Sequence, residues 1–128
     1  MRNTIADIQN VKQNNMKIVL GFVREKGPVS RASIAKVTGL TRATVSSLVN
    51  ELIEKGLVEE IGEGKSSGGR KPILLKLKSN SYLAIGIDLS DDKTIGGYLC
   101  NLEAEIVATA EHKYENSFDS ILSAIQSI

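Results

Sequence analysis

Between Gly39 and Gly56 five apolar residues fall on a single helical face. Val45, Leu48, Val49, Leu52 and Ile53 stand at i, i+3, i+4, i+7 and i+8, the spacing of an amphipathic helix that must bury one side against a partner. Thr41 is placed to cap its start and Gly56 to end it. Just before it lies a shorter stretch, SRASIAKVTG, with Ser30 as cap, Gly39 as stop, and Ile34 and Val37 as the expected apolar positions. The two are separated by TGLT, which has the length and the glycine of a helix-turn-helix corner. A further helix is expected over NNMKIVLGFVREKG, where Val19, Phe22 and Val23 share a face with Met16 and Leu20 beside them. Gly27-Pro28 stops it. The polar first ten residues either fray or begin that helix.

Two strands are expected next. LVEEI is followed by PILLKLK, in which Ile73, Leu75 and Leu77 alternate against polar Lys76 and Lys78. Helix, helix, helix, strand, loop, strand is the order of a winged helix-turn-helix. The connecting loop, GEGKSSGGRKP, combines glycines with Lys65, Arg70 and Lys71, a composition suited to phosphate. A nucleotide-binding loop does not fit. The Walker pattern needs glycine five positions before Gly64, where Glu59 stands, and a helix afterwards, where Pro72 and a strand follow. The dinucleotide pattern needs a third glycine at Ser67. A plain hairpin tip would also be glycine- and serine-rich. The excess of positive charge instead points to a DNA backbone or minor groove, which a small basic loop can follow closely.

The outward face of the longer helix fits the same partner. Arg42, Ala43, Ser46, Ser47 and Asn50 lie opposite Leu48 and Leu52, and no acidic residue occurs from Thr38 to Asn50. A helix entering a groove by its N-terminal half needs short polar side chains there, because carboxylates repel phosphates. Arg42 suits guanine, Asn50 adenine, and Ala43 or the Thr44 methyl thymine. The expected DNA-binding set is Arg31, Thr41, Arg42, Ala43, Thr44, Ser46, Ser47 and Asn50 on the helices, with Lys65, Ser66, Ser67, Gly68, Gly69, Arg70 and Lys71 on the wing. Arg31 and Lys36 are candidate phosphate contacts. An ordinary solvated helix face is the alternative for both.

Charge separates the chain into halves. Residues 1–80 hold 14 Lys and Arg against 7 Asp and Glu, net +7, while residues 81–128 hold 2 against 8, net −6. The expected boundary lies in the polar stretch KSNSY, giving a DNA-binding domain over 1–80 and a different segment over 81–128. There YLAIGIDLS, TIGGYLCNL and EIVATAEHKY read as consecutive strands and SFDSILSAIQSI as a helix capped by Ser117 or Asn116. No apolar run approaches the roughly 20 residues of a membrane span, and no apolar signal core is present. The single Cys100 has no disulfide partner and fits a reducing cytoplasm.

The stretch from Gly27 to Pro72, with its elements SR, TGL, TVSSLVNEL, GLV and SSGGRKP, closely resembles the DNA-binding domain of sugar-responsive repressors of the ROK (repressor, open reading frame, kinase) family, above all those that answer to xylose. YLAIGIDLS onwards resembles the opening strands of the ROK domain. The resemblance implies an α+β chain: a winged helix-turn-helix followed by an incomplete actin-like ATPase α/β segment. It also implies a homodimer on a palindromic operator in double-stranded DNA of a sugar operon. Thr41 to Asn50 becomes the recognition helix and Lys65 to Lys71 the wing. Kinase members of the family carry Asp-x-Gly-Gly-Thr after the first strand, where this chain has Asp88-Leu89-Ser90-Asp91-Asp92. Carboxylates there oppose an ATP phosphate, so neither an enzyme nor a cofactor is expected. His112 and Cys100 do not match the family's zinc motif. A ROK domain is longer than the segment 81–128, so the chain reads as a fragment of a longer repressor or a naturally shortened one. A sugar inducer is expected only with the remainder of that domain, and the short sheet is expected to self-associate or stay disordered. A protein-binding winged helix is the alternative function.

Overall fold

In the computed structural model, residues 4–65, 71–90, 93–115 and 117–127 are described. The chain divides into two compact units, Met1–Lys78 and Ser79–Ile128.

The first unit opens with helix α1 (Thr4–Lys26), so the polar opening stretch is helical from Thr4. Met16, Val19 and Val23 are its buried residues, with Leu20 and Phe22 packed at the core's margin. At its end the chain passes so close to its own backbone that a Cβ on Gly27 would lie 2.6 Å from the Val23 carbonyl oxygen. Only glycine fits there. A two-residue strand β1 (Val29–Ser30) follows, then helices α2 (Arg31–Thr38) and α3 (Arg42–Glu54) and strands β2 (Val58–Glu63) and β3 (Ile73–Leu77). β3 is the centre of an antiparallel sheet ordered β1-β3-β2.

Local chemistry explains the helix ends. The Ser30 hydroxyl accepts from the Ser33 backbone N–H at 3.1 Å, and the Ser30 N–H donates back to the Ser33 hydroxyl at 3.0 Å. That reciprocal pair is a capping box in which serine replaces the usual Glu or Gln. Gly39 ends α2 at φ 72°, donating its N–H to the Ala35 carbonyl; this left-handed turn is what separates the two helices at their corner. Thr41 caps α3 by accepting from the Thr44 N–H at 3.1 Å.

Val45, Leu48, Val49 and Leu52 carry α3 into the core, where they meet Ile34, Val58, Leu75 and the α1 residues. The expectation that Val37 is a core position is corrected: it remains 64% exposed. Two turns of helix have room for one large inward side chain, Ile34. Ala35 and Leu40, the latter beyond the turn, pack at the core's margin, leaving Val37 to solvent.

The second unit begins with a 3-10 turn (Ser79–Ser81). Strands β4 (Ala84–Asp88), β5 (Thr94–Cys100) and β6 (Ile106–Lys113) then form an antiparallel meander in sequence order, followed by helix α4 (Phe118–Gln126), capped by Ser117. Ile95 and Ala124 are buried. The turn after β5 is organised by buried Asn101. Its side-chain oxygen accepts from the N–H groups of Glu103 and Glu105, both at 3.0 Å, and its amide donates to Asn80 and Glu105. Ile85 and Leu99 line an open apolar depression of about 250 Å³ that also meets Ala108 and Ala110, and Ile87 lies on the same strand as Ile85, one pleat further on. Ile85 and Ile87 are exposed there.

Candidate nucleic-acid interface

With Val45, Leu48, Val49 and Leu52 facing inward and Ile53 packed at the core's margin, α3 turns its polar side chains outward. Thr41, Arg42, Ala43, Ser47 and Asn50 are exposed, and Thr44 and Ser46 are half-buried at the edge of that surface. None of the eight helical candidates from Arg31 to Asn50 enters the core. At the N-terminus of α3 the hydroxyls of Thr41 and Thr44 share a hydrogen bond at 2.8 Å. A groove of about 590 Å³ runs between α2 and α3, with Lys36 on one wall and Thr41 and Arg42 on the other.

The wing departs from β2 and returns in β3. Its base is closed by the Gly64 N–H donating to the Pro72 carbonyl at 2.7 Å. The register slips between Glu60 and Gly62, a bulge that leaves Ile61 without a partner in the ladder and twists the hairpin. Lys65 is exposed on the outgoing side. Lys71, on the returning side, sits 3.4 Å from Glu63. Ser66, Ser67, Gly68, Gly69 and Arg70 lie outside the described residues.

Charge pairing compensates Glu51, Glu59, Glu60 and Glu63 around this surface. Glu51 is bracketed by Lys12 at 2.6 Å and Lys55 at 2.8 Å; these hydrogen bonds, that to Lys12 first, hold its carboxyl below the ordinary value. Glu59 pairs with Lys76, Glu60 with Arg31 and Glu63 with Lys71. Among the described residues Lys36, Arg42 and Lys65 have no acidic partner. Those cations remain available to an external anion.

Sequence reasoning treated Arg31 and Asn50 separately, but the structure joins them. The Arg31 guanidinium donates to Glu60 Oε1 at 2.9 Å and to Asn50 Oδ1 at 3.2 Å, linking α2 to both α3 and β2. These partners lie 29 and 19 residues from Arg31, and no local pattern announces them. In the second unit, Asp88 accepts from the Ser90 N–H at 2.9 Å. The Ser90 hydroxyl and N–H hold that carboxyl below its ordinary value. It is a turn-forming residue at a strand end.

Comparison with known proteins gives a consistent answer. The MarR family matches over residues 17–66, which contain α2, α3 and β2. The xylose repressor of Bacillus subtilis strain 168 is 40% identical over 121 residues, spanning 94% of this chain and 31% of the relative. The DNA-binding transcriptional dual regulator NagC of Escherichia coli K12 is 30% identical over 135 residues, spanning 95% of this chain and 33% of the relative. The chain thus spans about a third of the length of the curated relatives it matches. A crystal structure of a ROK family transcriptional regulator, a homologue of the Escherichia coli MLC protein, matches with a TM-score of 0.67 at 24% identity. The match covers 90% of this chain and 29% of that one. The resemblance to repressors of this type expected from the sequence is met by these matches, and the winged helix-turn-helix fold class is met by the structure. These curated relatives are a repressor and a DNA-binding regulator of transcription. No helix among the described residues is long and apolar enough to cross a membrane.

Proposed function

We propose that this relative of the ROK-type repressors is a sequence-specific binder of double-stranded DNA that represses a sugar-utilisation operon in the cytoplasm, without enzymatic activity of its own. One observation carries the reading. The exposed edge of α3 from Thr41 to Asn50 is free of carboxylates and stands in a unit of net charge +7. Such an edge suits the major groove, while Lys36, Lys65, Arg70 and Lys71 supply phosphate contacts and counterion release. Arg42, Ser46, Ser47 and Asn50, with Ala43 and Thr44, are the proposed base readers, and the loop from Lys65 to Lys71 the minor-groove or backbone wing. Xylose is the proposed sugar, because relatives at 40 and 41% identity are xylose repressors.

A homodimer on a palindromic site fits the overhang of α1. This helix starts about three turns before its first core residue, Met16, and along the overhang Ile8 and Val11 are exposed. A second copy of the chain would cover them. The two-fold symmetry would then place two copies of α3 on successive half-sites.

The test is selection of duplexes from a random pool by the 128-residue chain, followed by titration of the selected and scrambled duplexes over a salt series. A reproducible palindromic preference with log affinity falling linearly in log salt supports the proposal. No selected sequence, or salt-independent binding, sinks it. Capture of the apolar face around Ile85 and Leu99 by a protein in place of DNA would favour the interaction-module alternative.

A further inference from the structure

We infer that Arg31 is a positioning residue for Asn50 and not a phosphate contact, an inference that rests on the reading of α3 as the base-reading helix. Arg31 is the first residue of α2 and its side chain is 26% exposed. Nη1 donates to Glu60 on β2 and Nη2 to the Asn50 carboxamide on α3. Both terminal nitrogens are thus engaged within the protein. The positive charge is already met by a carboxylate at 2.9 Å, which reduces its pull on an external phosphate.

The consequence falls on Asn50. Arginine offers donors only, so the carboxamide must turn its oxygen toward Arg31. Its NH2 group then faces away from Arg31, offering two donors to an acceptor on a base edge. An exposed asparagine otherwise samples several rotamers, and ordering it on binding has an entropic cost. Here the orientation is set before DNA arrives. Glu60 anchors the other end of the fork. It stands beside the bulge that directs the wing, so one guanidinium ties the reading helix to the root of the wing. Lysine cannot substitute, since a single ammonium lacks the planar fork that serves two acceptors at fixed angles.

The experiment uses the selected duplex, its single-base-pair variants and a salt series, with wild type, Arg31→Lys, Arg31→Ala, Asn50→Ala and the Arg31→Lys/Asn50→Ala double variant. Arg31→Lys is expected to retain the salt slope. It should lose roughly tenfold in discrimination at the base pair that Asn50→Ala relaxes, and add no further loss in the Asn50→Ala background. If Arg31→Lys discriminates like wild type, the inference is overturned. It is likewise overturned if Arg31→Ala lowers the salt slope by about one with base preference intact, the mark of a lost phosphate contact. Thermal melts establish that each variant is folded. Should the Arg31 variants unfold, Glu60→Gln removes the anchor and leaves Arg31 in place. It should loosen the same base preference, and full retention there overturns the inference. Failure of the wild type to select any sequence would instead sink the DNA-reading role of α3, and this inference with it.

Discussion

In the N-terminal unit Val19, Ile34, Val45, Val49 and Leu52 are wholly buried, whereas in the C-terminal unit Ile85 and Phe118 remain 68% and 78% exposed. The same kinds of side chain are spent differently. Three helices and a hairpin enclose a closed core in the first unit. In the second, three strands and one short helix enclose only the neighbourhood of Ile95 and Ala124. Charge divides along the same line, +7 against −6. The unit with the self-sufficient core is thus also the one suited to a polyanion. A reading helix has to be held rigidly, and a complete core does that without outside help. The second unit relies on strand pairing and on the polar knot around Asn101, and leaves apolar area open to a further partner.

The largest test of this contrast is a pair of truncations. Leu52→Ala is expected to cost about 2–5 kcal/mol in urea unfolding, as emptied core sites do. Ile85→Ala should stay within about 0.5 kcal/mol, as exposed substitutions do. Equal losses would mean that the sheet face is covered and would break the comparison. Next in size, Lys65→Ala combined with Arg70→Ala should weaken binding to all duplexes alike and reduce the salt slope by up to about two. A selective loss on the preferred site alone would contradict the division between wing and reading helix. Thr41→Ala removes the cap of α3 and should cost about 1 kcal/mol in thermal unfolding followed by helical circular dichroism. Ser117→Ala, at the cap of α4, should leave the melting of the N-terminal unit unchanged.

The smallest effect concerns pH. Hydrogen bonds from Lys12 and then Lys55 hold the Glu51 carboxyl below its ordinary value of 4.5. A carboxylate whose value is depressed on folding contributes stability above its unfolded value and loses it as pH falls through the folded one. Wild type should therefore lose more stability than Glu51→Gln when pH drops below 4.5, with the two converging in strong acid. Parallel curves would show that the bracket around Glu51 contributes nothing.

Much of the N-terminal unit was legible because its determinants are local. The caps at Ser30 and Thr41, the left-handed Gly39 and the inward stripe of α3 each involve residues within about two turns of one another, and the structure places them as expected. Val37 was misread because helical periodicity says which residues share a face, not how wide a face the rest of the molecule will cover. The strand Val29–Ser30 carries no period of its own and exists because Leu74 and Leu75 of β3 pair with it.

The order of the helices and longer strands, the carboxylate-free edge of α3 and the charge division were legible in the sequence alone, since propensity, capping and net charge act between near neighbours or need no geometry. The tertiary fold decided which cations stay unpaired and which are taken up internally. Lys12 reaches Glu51, and Arg31 reaches Glu60 and Asn50, only after α1, α2, α3 and β2 have packed on a common core. Such contacts depend on distances in space that no spacing along the chain encodes.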